Sequence, residues 1–137
     1  MNCIWGYTSS SALAVEKELG NEIKEAKQIF SALLFKEGIS GMCVVFTKSS
    51  ENPKVVLELI IDEKTIFSID FSPTGEGEFS FELEEKVIPQ TKIEVKIKLL
   101  EGLVSLPISA IGNGMGYQLV DKEFVPTNHL GLGLIIP

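Results

Sequence analysis

Apolar positions along this 137-residue chain change their spacing once, near residue 36. Before that point, "SSSALAVEKELGNEIKEAKQIFSALL" (residues 9–34) places apolar residues at 12, 15, 19, 23, 26, 30 and 33. Spacings of three and four predict an amphipathic α-helix, with the leading serines as caps. Glu16, Lys17, Glu18, Asn21, Glu22, Lys24, Glu25, Lys27 and Gln28 fill its opposite face. Gly20, in the middle, costs up to about 1 kcal/mol relative to alanine and invites a break or bend. Such a helix has two uses. It lies on the domain's own core, or Val15, Leu19, Ile23, Ala26 and Phe30 form a short coiled-coil seam between copies of the chain.

After "KEGISG" the period falls to two. "MCVVFTK" ends in the turn cluster "SSENP", and "KVVLELIID" and "TIFSIDFS" read as a hairpin around Asp62–Lys64. In "EFSFELE", Phe79, Phe81 and Leu83 share one face; in "TKIEVKIKLL", Ile93, Val95, Ile97 and Leu99 point in while Glu94, Lys96 and Lys98 point out. "LVSLPISAI", "YQLVDKEFVP" and "LGLGLIIP" complete the series, and Pro107 inside its run suggests an edge strand or a bulge. About eight half-buried strands, with no crossover helices between them, predict a mainly β fold: an antiparallel, jelly-roll-like β-sandwich preceded by one helix. The expected division is an N-terminal segment and helix, 1–35, and a sandwich, 36–137. The closing run sets Leu130, Leu132, Leu134 and Ile136 against Gly131, Gly133 and Ile135, which implies close backbone contact on the glycine side.

Charge narrows the functions. The formal net charge is −7, and the excess lies in residues 51–101, which carry six lysines against twelve acids. All twelve basic residues are lysines. An acidic chain without arginine lacks both the basic footprint and the bidentate fork that nucleic acids favour, so no nucleic-acid partner is expected. No apolar run approaches the ~20 residues of a membrane span, and no membrane partner is expected. The start "MNCIWGYTSSS" has no basic residue and no long apolar stretch, so a cytoplasmic chain is expected at synthesis. Two cysteines make no disulfide framework, and Cys43 reads as a small buried hydrophobe rather than the partner of Cys3.

Candidate chemistry is sparse. The single histidine, His129 in "PTNHLG", reads as a solvated turn residue. No pair of Cys or His has a zinc-site spacing, and "IDEKTIFSID" lacks the calcium-loop pattern, so neither metal nor cofactor is expected. Glu78, Glu82, Glu84 and Glu94 alternate with buried residues and therefore face solvent rather than forming a catalytic pair. "GNGMG" is not a dinucleotide fingerprint: its spacing is G-x-G-x-G and a strand-forming run follows, so its glycines serve a tight turn or bulge. No enzyme is expected. Tyr117, after those glycines, and Trp5 with Tyr7 are the candidate aromatic platforms for a sugar ring; the alternatives are core packing for Tyr117 and anchoring of the N-terminal segment for Trp5.

"KEGISGMCVVF", "VVLELIIDEKTIFSIDF", "IPQTKIEVKIKLL" and "LGLGLIIP", behind an amphipathic helix, together resemble small β-sandwich accessory proteins of phage particles: head fibres, decoration proteins and tail-fibre tips. The resemblance implies a non-enzymatic assembly protein that binds itself, as a trimer for example, and other particle proteins, and is carried in a virus particle. The alternative is a carbohydrate- or other ligand-binding sandwich module with glycans as partners.

Overall fold

The computed structural model describes residues 2–6, 15–109, 115–119, 124–125 and 129–137. Its strands are β1 (Asn2–Trp5), β2 (Val15–Leu19), β3 (Glu25–Ser31), β4 (Ile39–Phe46), β5 (Lys48–Ser49), β6 (Lys54–Ile61) and β7 (Lys64–Phe71). They continue with β8 (Gly77–Val87), β9 (Lys92–Glu101), β10 (Val104–Ser109), β11 (Gly116–Leu119), β12 (Phe124–Val125), β13 (His129–Leu130) and β14 (Leu132–Ile136). All pairing is antiparallel.

A six-stranded sheet, β12-β11-β3-β9-β6-β7, faces a four-stranded one, β1-β14-β4-β8. The alternating residues supply the core between them: Val55, Leu57, Leu59, Ile93, Val95 and Ile97 from one side, Met42, Val44, Phe46, Leu132 and Leu134 from the other. At the β7–β8 flank the layers meet through Phe71, whose ring lies 4.9 Å from Phe81 and 5.7 Å from Phe79 between centroids. A third sheet, β13-β10-β2 with β5 also on β10, continues the four-stranded one, because β5 follows β4 and β13 leads into β14.

Three expectations are corrected here. No α-helix occurs among the described residues; the N-terminal stretch forms β2 and β3 instead, and the one helical turn is a 3-10 turn at Ala32–Leu34. β2 pairs with β10 and β3 with β9. Residues of 1–35 are thus part of the sheets rather than a segment set before them. Leu19, Ala26 and Phe30 are core residues, Ile23 packs against the core, and Val15 pairs with Ile108, so the seam has no helix to form on. The reason is visible in β3, where Ala26, Gln28 and Phe30 alternate inward. A glutamine at the middle inward position broke the apolar alternation and left Ala26 and Phe30 at a helical spacing of four.

Cys3 and Cys43 form a disulfide, contrary to the expectation of a lone buried thiol at 43. Both lie on one face of the four-stranded sheet, on strands that flank β14. Gly133 opens the way between them: a Cβ there would stand 2.9 Å from Cys43 Sγ and 3.0 Å from Trp5 Cε3. The close approach expected on the glycine side of the last strand is thus the disulfide and the indole. Pro107 sits in a strand with neighbours on both sides. Its carbonyl accepts from Gly131 N–H (2.9 Å), between the stretches of β10 paired to β5 and to β13, so its missing N–H falls where the ladder is interrupted.

Candidate functional site

At the pole where β5, β6, β7, β8 and β10 begin or end, two adjoining recesses of about 530 and 580 Å³ share Ser49, Ser50 and Gly75. Their walls are short connections fixed by local chemistry. Ser50 N–H donates to Leu103 O (2.8 Å), and Ser50 Oγ accepts from Leu103 N–H (2.9 Å). Ser72 Oγ donates to Pro53 O (2.6 Å), tying the β7–β8 connection to the start of β6. Gly102 makes the closest approach: its φ is +84°, and a Cβ would stand 2.6 Å from Ser50 Oγ and 3.1 Å from Pro53 Cα. Only glycine meets both conditions without strain.

The groove so held combines apolar surface with polar side chains. Ser49, Thr74 and Asn52 contribute hydroxyl and amide groups that have no partner among the described residues, and Glu51 and Glu76 add two carboxylates. Lys48, at the rim, is turned to Glu16 (3.3 Å). Unpaired hydroxyls and amides with carboxylate acceptors, and no arginine, suit a neutral ligand rich in hydroxyl groups better than an anion. Among the described residues no cluster of three metal-ligating side chains occurs.

A second polar assembly is buried. Gln28, fully enclosed, donates from Nε2 to Gly116 O (2.9 Å) and Ile29 O (3.2 Å), and its Oε1 accepts from Leu130 N–H (2.7 Å). Only oxygen accepts from an N–H, so this bond fixes the amide and aims Nε2 at His129 Nδ1, 3.5 Å away. His129 is 6% exposed, not the solvated turn residue expected, and desolvation lowers its pKa below the usual 6.5. Every buried side-chain nitrogen and oxygen described has a partner. The assembly joins β3, β11 and β13 and offers a ligand nothing unmet.

Of the aromatics singled out in the sequence, Trp5 is half-buried over Gly133, and the backbone register places Tyr117 opposite Gln28. Gly6, next to Trp5, also abuts Gln28. The two backbone segments therefore converge on the buried junction, and Trp5 does not line the groove; the side chain of Tyr117 lies outside what the structure describes. Tyr7, Gly112 and Gly114 lie outside the described residues; Gly116 has φ +125°, in keeping with a backbone role. Sequence reasoning missed the groove because turn-forming stretches such as "SSENP" and "PTGEG" mark a chain reversal and not a site. Their shared wealth of Ser, Thr and Asn was the signal.

No protein-family model matches the sequence, and no curated protein matches it. Solved structures do. The crystal structure of the cysteine protease and lectin-like domains of Cwp84, a surface layer associated protein of Clostridium difficile, is similar over 87% of this chain, with a TM-score of 0.58 and 8% identity. This chain covers 35% of that one. The CBM36-1 domain of a multidomain xylanase from the hindgut metagenome of Trinervitermes trinervoides matches 81% of this chain and 98% of its own, at TM-score 0.43 and 9% identity. A mitogen from Yersinia pseudotuberculosis matches 84% of this chain and 91% of its own, at TM-score 0.42 and 14% identity. At these identities the likeness concerns the fold alone: a mainly antiparallel β architecture.

Proposed function

We propose that this chain is a non-catalytic β-sandwich module that binds a neutral, hydroxyl-rich ligand, a glycan, in the groove between the β5–β6, β7–β8 and β9–β10 connections. The observation that carries the reading is the groove's set of unpaired hydroxyl and amide side chains on connections held by backbone and serine hydrogen bonds. Preorganised polar groups of this kind set orientation and specificity for sugar hydroxyls, and fixed loops lower the ordering cost of binding. The fold is consistent with this role, since the Clostridium difficile structure similar to it includes a lectin-like domain. The disulfide favours an oxidising compartment over the cytoplasm.

A glycan panel followed by titration calorimetry tests the proposal. Thr74→Val and Asn52→Ala are expected to weaken the selected glycan about two- to tenfold each, the order of one lost hydrogen bond. Trp5→Ala is expected to leave the affinity unchanged. A panel without binders, or binding lost with Trp5 and kept with Thr74 and Asn52, overturns the assignment of this groove.

A further inference from the structure

β8 is the longest strand, eleven residues, and it stands at the edge of the four-stranded sheet. Its inner side pairs with β4 in regular register from Phe46↔Gly77 to Gly41↔Glu82 and, past a bulge, again at Ile39↔Val87. Among the described residues, nothing takes up the backbone groups on its outer side. Natural sheets blunt such edges with lysine, proline, short length or bulges on the edge strand. Here the first basic residue is Lys86, the strand contains no proline, and the bulge and the lysine both lie beyond Glu82, so the run 77–82 carries none of these devices.

The two faces of this edge differ. Phe79, Phe81 and Leu83 are half-buried, packed on the core at the open flank between β7 and β8. Glu78, Ser80, Glu82 and Glu84 are exposed on the other face, and none of the three carboxylates forms an ion pair or hydrogen bond among the described residues. Of the lysines on the six-stranded sheet, Lys27 and Lys92 pair with Glu94, Lys96 and Lys98 with Glu25, and Lys54 with Glu101, whereas Lys64, at the β6–β7 turn, forms no ion pair among the described residues.

We infer that the free edge of β8 is a docking site for an extended, basic segment of a partner protein, which adds to the four-stranded sheet as a fifth strand. An added strand continues the pleat, so alternate side chains lie beside Phe79, Phe81 and Leu83 while the intervening ones lie beside Glu78, Ser80, Glu82 and Glu84. The matching segment alternates aliphatic residues with Lys or Arg. A second copy of this chain is the wrong occupant, because pairing β8 with β8 brings acids against acids. Charge complementarity therefore selects a basic partner and opposes self-association. This inference is independent of the glycan groove.

The test uses two heptapeptides that alternate valine with lysine or with glutamate, and follows the intact protein by NMR and amide hydrogen exchange. The lysine peptide is expected to bind about tenfold or more tightly than the glutamate peptide, the sum of three cross-strand charge pairs. It should slow exchange at alternate amides of residues 77–87 and weaken as salt is raised. Glu82→Lys, on an exposed position, should lower lysine-peptide affinity and raise that of the glutamate peptide, with the thermal midpoint unchanged. Equal affinity for both peptides, absence of binding, protection confined to other strands, or β8-dependent dimerisation of the protein alone would each overturn the inference.

Discussion

Asp62 and Thr91, 29 residues apart, are bound twice: Asp62 Oδ1 accepts from Thr91 N–H and from Thr91 Oγ1, each at 2.7 Å. Gln90 N–H donates to the other carboxylate oxygen at 2.9 Å. The β6–β7 turn residue thereby holds the entry to β9. These bonds, led by the Thr91 hydroxyl and then the Thr91 and Gln90 amides, lower the Asp62 pKa from 3.8 to about 2. A lowered folded pKa gives stability that is present above pH 3.8 and lost as pH falls towards 2. Asp62→Asn tolerates the residue's φ of +49°. The variant is expected to lower the thermal midpoint at pH 7 by a few degrees and to flatten its decline between pH 4 and 2. A differential scanning series in pH measures both.

The Gln28 junction gives a larger effect. Gln28→Leu keeps the volume but leaves Leu130 N–H and one Gly116 carbonyl lone pair without their partner. Unmet buried groups cost about 1–3 kcal/mol each, so a loss of about 2–4 kcal/mol is expected in urea unfolding.

His129 should add a pH signature of its own. Burial lowers its pKa, so the unfolded chain takes up the proton more readily than the folded one. Stability should be complete above pH 6.5 and decline as pH falls from there. His129→Gln should remove that slope while leaving the acid limb set by Asp62.

Glycines at the groove separate steric contact from backbone strain. Gly102 and Gly75 both have positive φ, but a Cβ on Gly102 collides with Ser50 and Pro53, whereas one on Gly75 meets nothing within 4 Å. Gly102→Ala is expected to cost about 1–3 kcal/mol and Gly75→Ala no more than about 1. Equal losses in denaturant titrations would remove the close approach as the cause.

The Cys3–Cys43 bridge closes a separation of 40 residues. In the chain-entropy view a loop of that size is worth about 4 kcal/mol, or ~10–15 °C of thermal midpoint in a domain of this length. Mass spectrometry of the unreduced protein should show two hydrogens fewer than the reduced chain, and a dithiol should produce the midpoint drop.

The sequence by itself determined most strands after residue 40. The β6–β7 hairpin lies where "IDEK" placed it, with Asp62 and Glu63 both at positive φ, because two adjacent turn residues between alternating runs allow little else. β9 alternates as read, since each of its inward positions carries an aliphatic residue. Even there tertiary structure intervened: Glu94 is on the outward face yet 8% exposed, covered by Lys27 and Lys92.

What only the tertiary structure decided are the features that depend on partners far along the chain. β3 is a strand because Gln28, which looks like a surface residue locally, finds Leu130 and Gly116 across the core. The disulfide exists because β14, the last strand, inserts between β1 and β4 with a glycine beneath the sulfurs. The groove assembles from connections about 25 residues apart, and the free edge of β8 follows from strand order. Periodicity reports how each residue meets its own neighbours. It carries no information about which strand arrives beside it, and that arrival sets burial, hydrogen-bond partners and exposed edges.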